Sequence, residues 1–214
     1  MPMAPLSPAK FQQITAVSSD TLERLKVYAA LLEKWQRKVN LVSRGSLAEM
    51  WRRHFLDSAQ LAPLLTAGAN GGVKTVVDIG SGAGFPGMVL AILGTSAEVH
   101  LVESNEKKCA FLREVNRVMD AGVIIHHSRV ENLPDLKADV VVSRAVAPLE
   151  QLLQYANPVL EKGGQCFFLK GQKGRDELTQ ARKKWIIKDT NIQSLSDPSG
   201  MVLKLEAIAY RDDS

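Results

Sequence analysis

The sequence predicts an α/β fold with a mostly parallel sheet, an antiparallel C-terminal hairpin and a helical N-terminal extension. After residue 70, short apolar segments of the strand type alternate with helical segments, whereas the earlier residues show helical patterns. Nearly continuous apolar strands separated by helices are typical of a parallel sheet that is covered on both faces. We therefore expect a helical extension over residues 1–70 and an α/β core over residues 71–214, together forming one compact domain.

Four helices are predicted in the extension. Ser7 stands directly before a proline, which is typical of a helix start. Apolar residues recur at three- and four-residue spacing over residues 22–39, which predicts a long second helix. The spacing of Ser46 and Glu49 fits a capping box, so a third helix is predicted to open at Ser46. A fourth helix is predicted over residues 57–65.

The core is predicted to contain five strands that alternate with helices. The strands are predicted over residues 75–79, 99–103, 123–126, 139–143 and 165–169. The helices between them are predicted over residues 88–93, 106–119 and 149–160. Two further segments, 185–195 and 201–210, are joined by a turn that contains proline and glycine, which predicts an antiparallel hairpin at the sheet edge.

Composition narrows the class of protein. With 45% hydrophobic and 23% charged residues, the chain resembles an ordinary globular protein. It has no apolar run near the roughly 20 residues of a bilayer span, and its N-terminus lacks the pattern of a secretion signal. Cys109 and Cys166 stand apart without neighbouring histidines, so we expect neither a disulfide nor a metal site. We expect a cytoplasmic protein, and its net charge of +4 suits a polyanionic partner without requiring one.

The most informative motif is V-D-I-G-S-G-A-G-F-P-G over residues 77–87, between the first predicted strand and its helix. Glycines at such a turn let the backbone approach a ligand closely, and the helix N-terminus offers free N–H groups. Two glycine registers fit this segment. The glycines at 80, 82 and 84 have the spacing usual in methyltransferases, whereas those at 82, 84 and 87 match a dinucleotide-binding pattern.

The first register is favoured, because Gly80 directly follows the strand, where the first turn must occur. Pro86 suits the first helical turn, so Gly87 is expected inside the helix. The motif thus predicts a Rossmann-like class I methyltransferase that binds S-adenosylmethionine, with Gly80, Gly82 and Gly84 at the cofactor. The second register leaves a NAD-type oxidoreductase as an alternative, and a non-catalytic RNA-binding module with the same fold is another.

Further cofactor contacts are predicted near the strand ends. Asp78 can accept hydrogen bonds from loop amides or contact the amino group of the ligand. Glu103 ends the second strand, where an acid can accept hydrogen bonds from both ribose hydroxyls. Val130 and Glu131 follow the third strand, where such enzymes form the adenine pocket. Phe85 can pack against the cofactor or close the glycine loop.

The loop after the fourth strand indicates which kind of atom is methylated. It has neither the Asn/Asp-Pro-Pro-aromatic run that is usual for methylation of exocyclic amines nor a cysteine nucleophile. Both absences favour a nitrogen that already exposes its lone pair, such as guanine N7, which needs no general base and no covalent enzyme intermediate. No catalytic residue is assigned. Arg144 is the candidate for positioning, through the cofactor carboxylate, a phosphate or guanine O6.

RNA binding requires cations near the opening of the site. The candidates are Arg44, Arg52, Arg53, Lys170, Lys173 and Arg175. The segment that begins at Lys170 is expected to be flexible, whereas Lys108 is expected on the exposed face of its helix. His54 and Asp57 can share a helix face, either shaping the pocket or tying the extension to the sheet.

Five segments together resemble one known family. They are N-L-V-S-R (40–44), H-F-L-D-S (54–58), D-I-G-S-G-A-G-F-P-G (78–87), S-R-A (143–145) and L-K-G (169–171). The chain is similar throughout to the bacterial methyltransferases that modify guanine N7 of small-subunit (16S) ribosomal RNA, also called glucose-inhibited division protein B. The resemblance implies a cytoplasmic enzyme, for which we expect a monomer. It also implies that S-adenosylmethionine is contacted at Gly80, Phe85, Val130, Glu131 and Arg144.

Overall fold

The computed structural model describes residues 5–66, 72–133, 136–144 and 146–211. The helices of the extension are α1 (Pro8–Thr15), α2 (Ser19–Gln36), α3 (Arg44–Leu47), a π-helix (Trp51–Leu56), α4 (Asp57–Ala59) and α5 (Ala62–Thr66). The predicted boundary at residues 70 and 71 falls in a segment outside the described residues. None of the described helices is long and apolar enough to cross a membrane.

Within the described residues, the core contains seven strands, four α-helices and a 3₁₀ helix, Val130–Asn132. The strands are β1 (Thr75–Ile79), β2 (Glu98–Glu103), β3 (Ile124–His127), β4 (Ala138–Arg144), β5 (Leu160–Lys170), β6 (Trp185–Gln193) and β7 (Met201–Tyr210). The α-helices are α6 (Gly87–Ile92), α7 (Glu106–Met119), α8 (Leu149–Ala156) and α9 (Gly174–Ala181).

The strands form one sheet in the order β3-β2-β1-β4-β5-β7-β6. Strands β1 to β5 pair in parallel, and β7 pairs antiparallel with both β5 and β6. The prediction of a mostly parallel sheet with an antiparallel C-terminal hairpin is therefore confirmed. The strand order reverses between β1 and β4, which is where ligands bind in open α/β sheets.

The sheet separates two apolar layers. Helices α2, α6 and α7 pack on one face, and α8 and α9 pack on the other. Along β4, Val140 and Val142 join the first layer while Val141 joins the second, as the two-residue period of a strand requires. Because Tyr28 and Phe55 are fully buried in the first layer, the extension shares its core with the sheet.

The predicted start of the third helix is wrong. Ser43, not Ser46, caps α3, because its Oγ accepts a hydrogen bond from the Ser46 N–H at 3.3 Å. The Ser46 hydroxyl is inside the turn and donates to the Ser43 carbonyl at 2.9 Å, and within the described residues no backbone N–H donates to it. The next helical segment is the π-helix, and the predicted fourth helix is divided into α4 and α5.

Two further differences concern β5 and the segment that follows it. Strand β5 begins at Leu160, five residues before the predicted start, and is irregular where it passes the start of β4. Helix α9, which was not predicted, begins directly after the segment that we expected to be flexible. Lys170 therefore ends a strand, and Arg175 is in the first turn of a helix.

Candidate active site

A cavity of about 1130 Å³ opens at the carboxyl ends of β1, β2 and β4. One side, the strand-edge wall, is formed by the loop from Ile79 to Ala83 together with Glu103, Val130 and Glu131. The opposite side, the helix–hairpin wall, is formed by residues between α3 and the start of α4 and by the β6–β7 turn. Its members are Ser46, Glu49, Arg52, Arg53, Asp57, Ser194, Ser196, Asp197, Pro198 and Gly200.

The glycine loop adopts the backbone that the first register predicts. Gly80, Gly82 and Gly84 have φ angles of +70°, +58° and +88°, which favour glycine, whereas Gly87 is not among the residues with positive φ. Helix α6 begins at Gly87 with Pro86 as its N-cap, one residue before the predicted range of 88–93. The loop glycines are therefore those of the methyltransferase register.

Glu103 is held in place by two backbone donors. Its Oε2 accepts a hydrogen bond from the Gly82 N–H at 3.0 Å, and its Oε1 accepts one from the Asn105 N–H at 2.7 Å. The carboxylate is largely buried but lines the cavity. Each oxygen retains a lone pair, so Glu103 can accept further hydrogen bonds from a ligand.

Asp78 and Gly84 support the loop from behind and do not line the cavity. Asp78 is fully buried, and its Oδ2 accepts a hydrogen bond from the Gly87 N–H at 2.8 Å. Within the described residues its Oδ1 has no partner, and burial raises the pKa of Asp78 to about 7. A Cβ on Gly84 would lie 2.5 Å from the Tyr28 Oη. Both residues therefore support the shape of the loop, and neither lines the cavity.

Phe85 connects the glycine loop to the extension. Its ring stacks on Tyr28 at a centroid distance of 5.4 Å and on His54 at 5.0 Å. The guanidinium carbon of Arg144 lies 5.0 Å from the same ring, within the range of a cation–π contact. Phe85 is only 2% exposed, so it fixes the loop and Arg144 relative to each other.

Arg144 joins the sheet to the helix–hairpin wall. Its Nη1 donates to the Arg53 carbonyl at 2.7 Å and lies 3.4 Å from Asp57 Oδ2. Asp57 Oδ1 in turn accepts hydrogen bonds from Ser196 Oγ at 2.5 Å and from Gln60 Nε2 at 3.0 Å. Burial raises the pKa of Asp57, while the charge of Arg144 and the Ser196 bond act in the opposite direction. Asp57 thus ties the π-helix, β4 and the hairpin together.

His54 has the contacts of a structural residue. Its Nε2 lies 3.0 Å from Ser46 Oγ, and because that hydroxyl donates to the Ser43 carbonyl, we assign the proton of this bond to His54. The other ring nitrogen is buried and has no hydrogen-bond partner in the described part of the chain. Burial, with the charges of Arg144 and Arg53, lowers the pKa of His54 to about 3, so the ring is neutral.

Comparisons with known proteins agree with this geometry. The family model described as rRNA small subunit methyltransferase G matches residues 21–201. The chain is 49% identical over 204 residues to ribosomal RNA small subunit methyltransferase G of Paramagnetospirillum magneticum, covering 95% of this chain and 97% of that protein.

The chain belongs to the rRNA small subunit methyltransferase G family. It is 50% identical over 201 residues to the protein of the same name from Rhodospirillum centenum, covering 94% and 91% of the two chains. The solved structure of M. jannaschii TYW2 in complex with AdoMet has a TM-score of 0.53 and 17% identity, covering 82% of this chain and 80% of that one. It shares the fold, and the predictions of a methyltransferase fold and of an enzyme are confirmed.

Only some of the cations that were predicted to contact RNA line the cavity of the methyltransferase. Arg52, Arg53 and Lys170 line the cavity, whereas Arg44, Lys173 and Arg175 are exposed outside it. The expectation that Lys170 belongs to a flexible segment is wrong. Its Nζ donates to Glu177 and to the Ala147 carbonyl, both at 2.8 Å, and the side chain is largely buried.

Sequence reasoning missed several lining residues of the methyltransferase. Lys108 and Arg129 line the cavity, although Lys108 was expected only on an exposed helix face. Its position in the first turn of α7, just after β2, is a signal that could have identified it. The β6–β7 turn carried no such signal, because it reaches the cavity only through the fold.

Proposed function

We propose that this methyltransferase transfers a methyl group from S-adenosylmethionine to N7 of a guanine in 16S ribosomal RNA. The observation that carries the proposal is the pairing of Glu103 with the glycine loop, opposite the Arg144–Asp57 pair, in one open cavity. Family membership supports a ribosomal RNA substrate. We further propose that the enzyme acts as a monomer in the cytoplasm on the RNA or on the small subunit.

The residues of the strand-edge wall fit the proposed cofactor. The carboxylate of Glu103 retains lone pairs that suit ribose hydroxyls. A Cβ on Gly82 would have no neighbour closer than 3.8 Å, so the loop leaves open space beside it. Val130 and Glu131 line the end that suits the adenine, and Arg144 suits a carboxylate. When bound, S-adenosylmethionine supplies the electrophilic methyl group.

The cavity favours a nucleophile that needs no activation. The neutral His54 bonds to Ser46 through one nitrogen, and its other nitrogen is buried. Asp57 is occupied by Ser196, Gln60 and Arg144. No cysteine is among the described residues that line the cavity. Guanine N7 carries a lone pair and no proton, so these residues need only align the base for in-line transfer.

Small ribosomal subunits that lack the modification, incubated with radiolabelled S-adenosylmethionine, test the proposal. We expect one methyl group per subunit, and selective cleavage of the RNA at 7-methylguanosine should locate it. Label at another atom, or no label, would contradict the proposal. The Gly82→Val variant should lose the activity, because its side chain fills the approach to the loop and its φ of +58° disfavours valine.

Two binding measurements separate the alternatives. Calorimetric titration should give heat with S-adenosylmethionine or its demethylated product, and none with NAD. Heat with NAD alone would instead favour an oxidoreductase. A non-catalytic RNA-binding module would retain its function in Gly82→Val, whereas the methyltransferase would not.

A further inference from the structure

Five carboxylates line the cavity within the described residues, and four have evident roles. They are Glu49, Asp57, Glu103, Glu131 and Asp197. Glu103 and Glu131 are on the strand-edge wall, where the proposed cofactor binds. On the opposite wall, Asp57 is occupied by three donors. Asp197 Oδ1 accepts hydrogen bonds from the N–H and the hydroxyl of Ser199, both at 2.8 Å.

On the helix–hairpin wall Glu49 differs from Asp57 and Asp197, because its half-buried carboxylate has no hydrogen bond or ion pair in the part of the chain that the structure describes. Arg52 and Arg53 follow it at three and four positions, the spacing at which helical side chains often pair, yet Glu49 forms no ion pair there. Its carbonyl accepts hydrogen bonds from the N–H groups of both arginines, which fixes the backbone at the start of the π-helix.

A free carboxylate is unfavourable in a cavity that admits RNA, because it repels phosphates and loses hydration when the substrate enters. It becomes favourable only if the substrate offers donors. A guanine offers two adjacent ones, N1–H and N2–H₂, on its Watson–Crick edge. Enzymes that modify a base outside the helical stack commonly read that edge by hydrogen bonds.

We propose that Glu49 reads the target base by accepting hydrogen bonds from guanine N1–H and N2–H₂. The inference rests on the proposed function and names the residue that selects guanine. N7 is not part of the Watson–Crick edge; it is on the neighbouring edge of the purine. A base that Glu49 holds through N1–H and N2–H₂ therefore keeps its N7 free to accept the methyl group. Adenine has an unprotonated N1 and no amino group at C2, so it offers no donor at either of the two positions that Glu49 would read.

The test compares two bases at the target position in reconstituted subunits. Inosine lacks the N2 amino group but retains N7, so the wild-type enzyme should methylate it with a kcat/KM about 10-fold lower than guanine. Glu49→Gln should lose about 10- to 100-fold on guanine. It should also discriminate between guanine and inosine by less than about 3-fold, because a neutral amide accepts these hydrogen bonds more weakly than a carboxylate.

Glu33→Gln is the matched control, because Glu33 is exposed on α2 and is not part of the cavity. It should retain wild-type kcat/KM and discrimination. Calorimetry should give an unchanged Kd for S-adenosylmethionine with Glu49→Gln, and its melting temperature should be unchanged, since no protein contact of the carboxylate is lost. If Glu49→Gln discriminated between guanine and inosine as strongly as the wild type does, the inference would be overturned. A change in its Kd for S-adenosylmethionine would overturn it as well. Absence of methylation by the wild type would instead defeat the proposed function.

Discussion

The strand-edge wall is built from near neighbours in the chain, whereas the helix–hairpin wall joins distant segments. Gly82 and Glu103, which bond across the first wall, are 21 positions apart. Asp57 and Ser196, which bond across the second, are 139 positions apart. The first wall follows from two successive βα units, in which parallel strands end at one edge. The second requires the extension and the hairpin to meet over the finished sheet.

The two walls are also stabilised in different ways. The strand-edge wall depends on backbone conformation and on the absence of side chains at the glycines. The helix–hairpin wall depends on buried polar side chains that satisfy one another, with Asp57 at the centre. Substitutions should therefore act by steric strain on one wall and by loss of hydrogen bonds and charge pairing on the other.

The largest effect is expected from a methyl group added directly behind the strand-edge wall. In Gly84→Ala the new Cβ would lie 2.5 Å from Tyr28 Oη and 2.8 Å from Met88 Cβ, at a φ of +88°. We expect a loss of about 3–5 kcal/mol in the free energy of unfolding from strain and overpacking. Gly82→Ala is the matched control, with no neighbour closer than 3.8 Å. It should lose only about 1–2 kcal/mol. Equal losses in urea denaturation would contradict the steric account.

A smaller effect is expected from Asp57→Asn on the helix–hairpin wall. The variant removes the charge that faces Arg144, and both side chains are 16% exposed. We expect a loss of about 2–3 kcal/mol in the free energy of unfolding. We also expect a fall of about 10- to 100-fold in kcat/KM, because Arg144 loses its orientation.

Ser196→Ala provides the graded comparison, since it removes only the hydroxyl that donates to Asp57. It should lose about 1–2 kcal/mol, less than Asp57→Asn. If both variants unfold like the wild type, the wall is not held by this network.

The smallest effect at neutral pH is expected from His54→Gln. The folded-state pKa of His54 is about 3, below its ordinary 6.5, so folding disfavours the charged ring. Its contribution to stability is present above about pH 6.5 and is lost as the pH falls towards 3. The variant should cost about 1 kcal/mol at pH 7 through the lost ring contact with Phe85, and it should unfold with a weaker dependence on pH below 6.5.

Asp78, behind the strand-edge wall, should respond to pH in the opposite sense. Its folded-state pKa is raised from 3.8 to about 7, so its contribution is present below pH 3.8 and is lost as the pH rises towards 7. The asparagine of Asp78→Asn cannot ionise, so this variant should not lose stability in the same way as the pH rises towards 7. Urea denaturation of the wild type and both variants across pH 4–8 separates the two effects. Parallel pH profiles for the three proteins would contradict these assignments.

The local sequence pattern was sufficient to predict the strands and most helices of the core. The range 106–119 was predicted for α7 and is the range observed. The apolar strand segments, the glycine loop and the acid at the end of β2 also lie where their local patterns predicted. The third helix was misplaced because two nearby serines could each have been the cap, and sequence spacing does not decide which hydroxyl accepts a hydrogen bond from a backbone N–H.

By itself, the sequence determined the strand-edge wall, because strand periodicity, glycine conformation and the strand-end carboxylate act over a few tens of residues. Only the tertiary structure decided the opposite wall. In the folded chain Lys170 forms an ion pair with Glu177, and Asp57 accepts a hydrogen bond from Ser196. Glu49 lines the cavity without a side-chain partner among the described residues. A side chain's partners depend on which distant segments pack around it, and no local pattern encodes that arrangement.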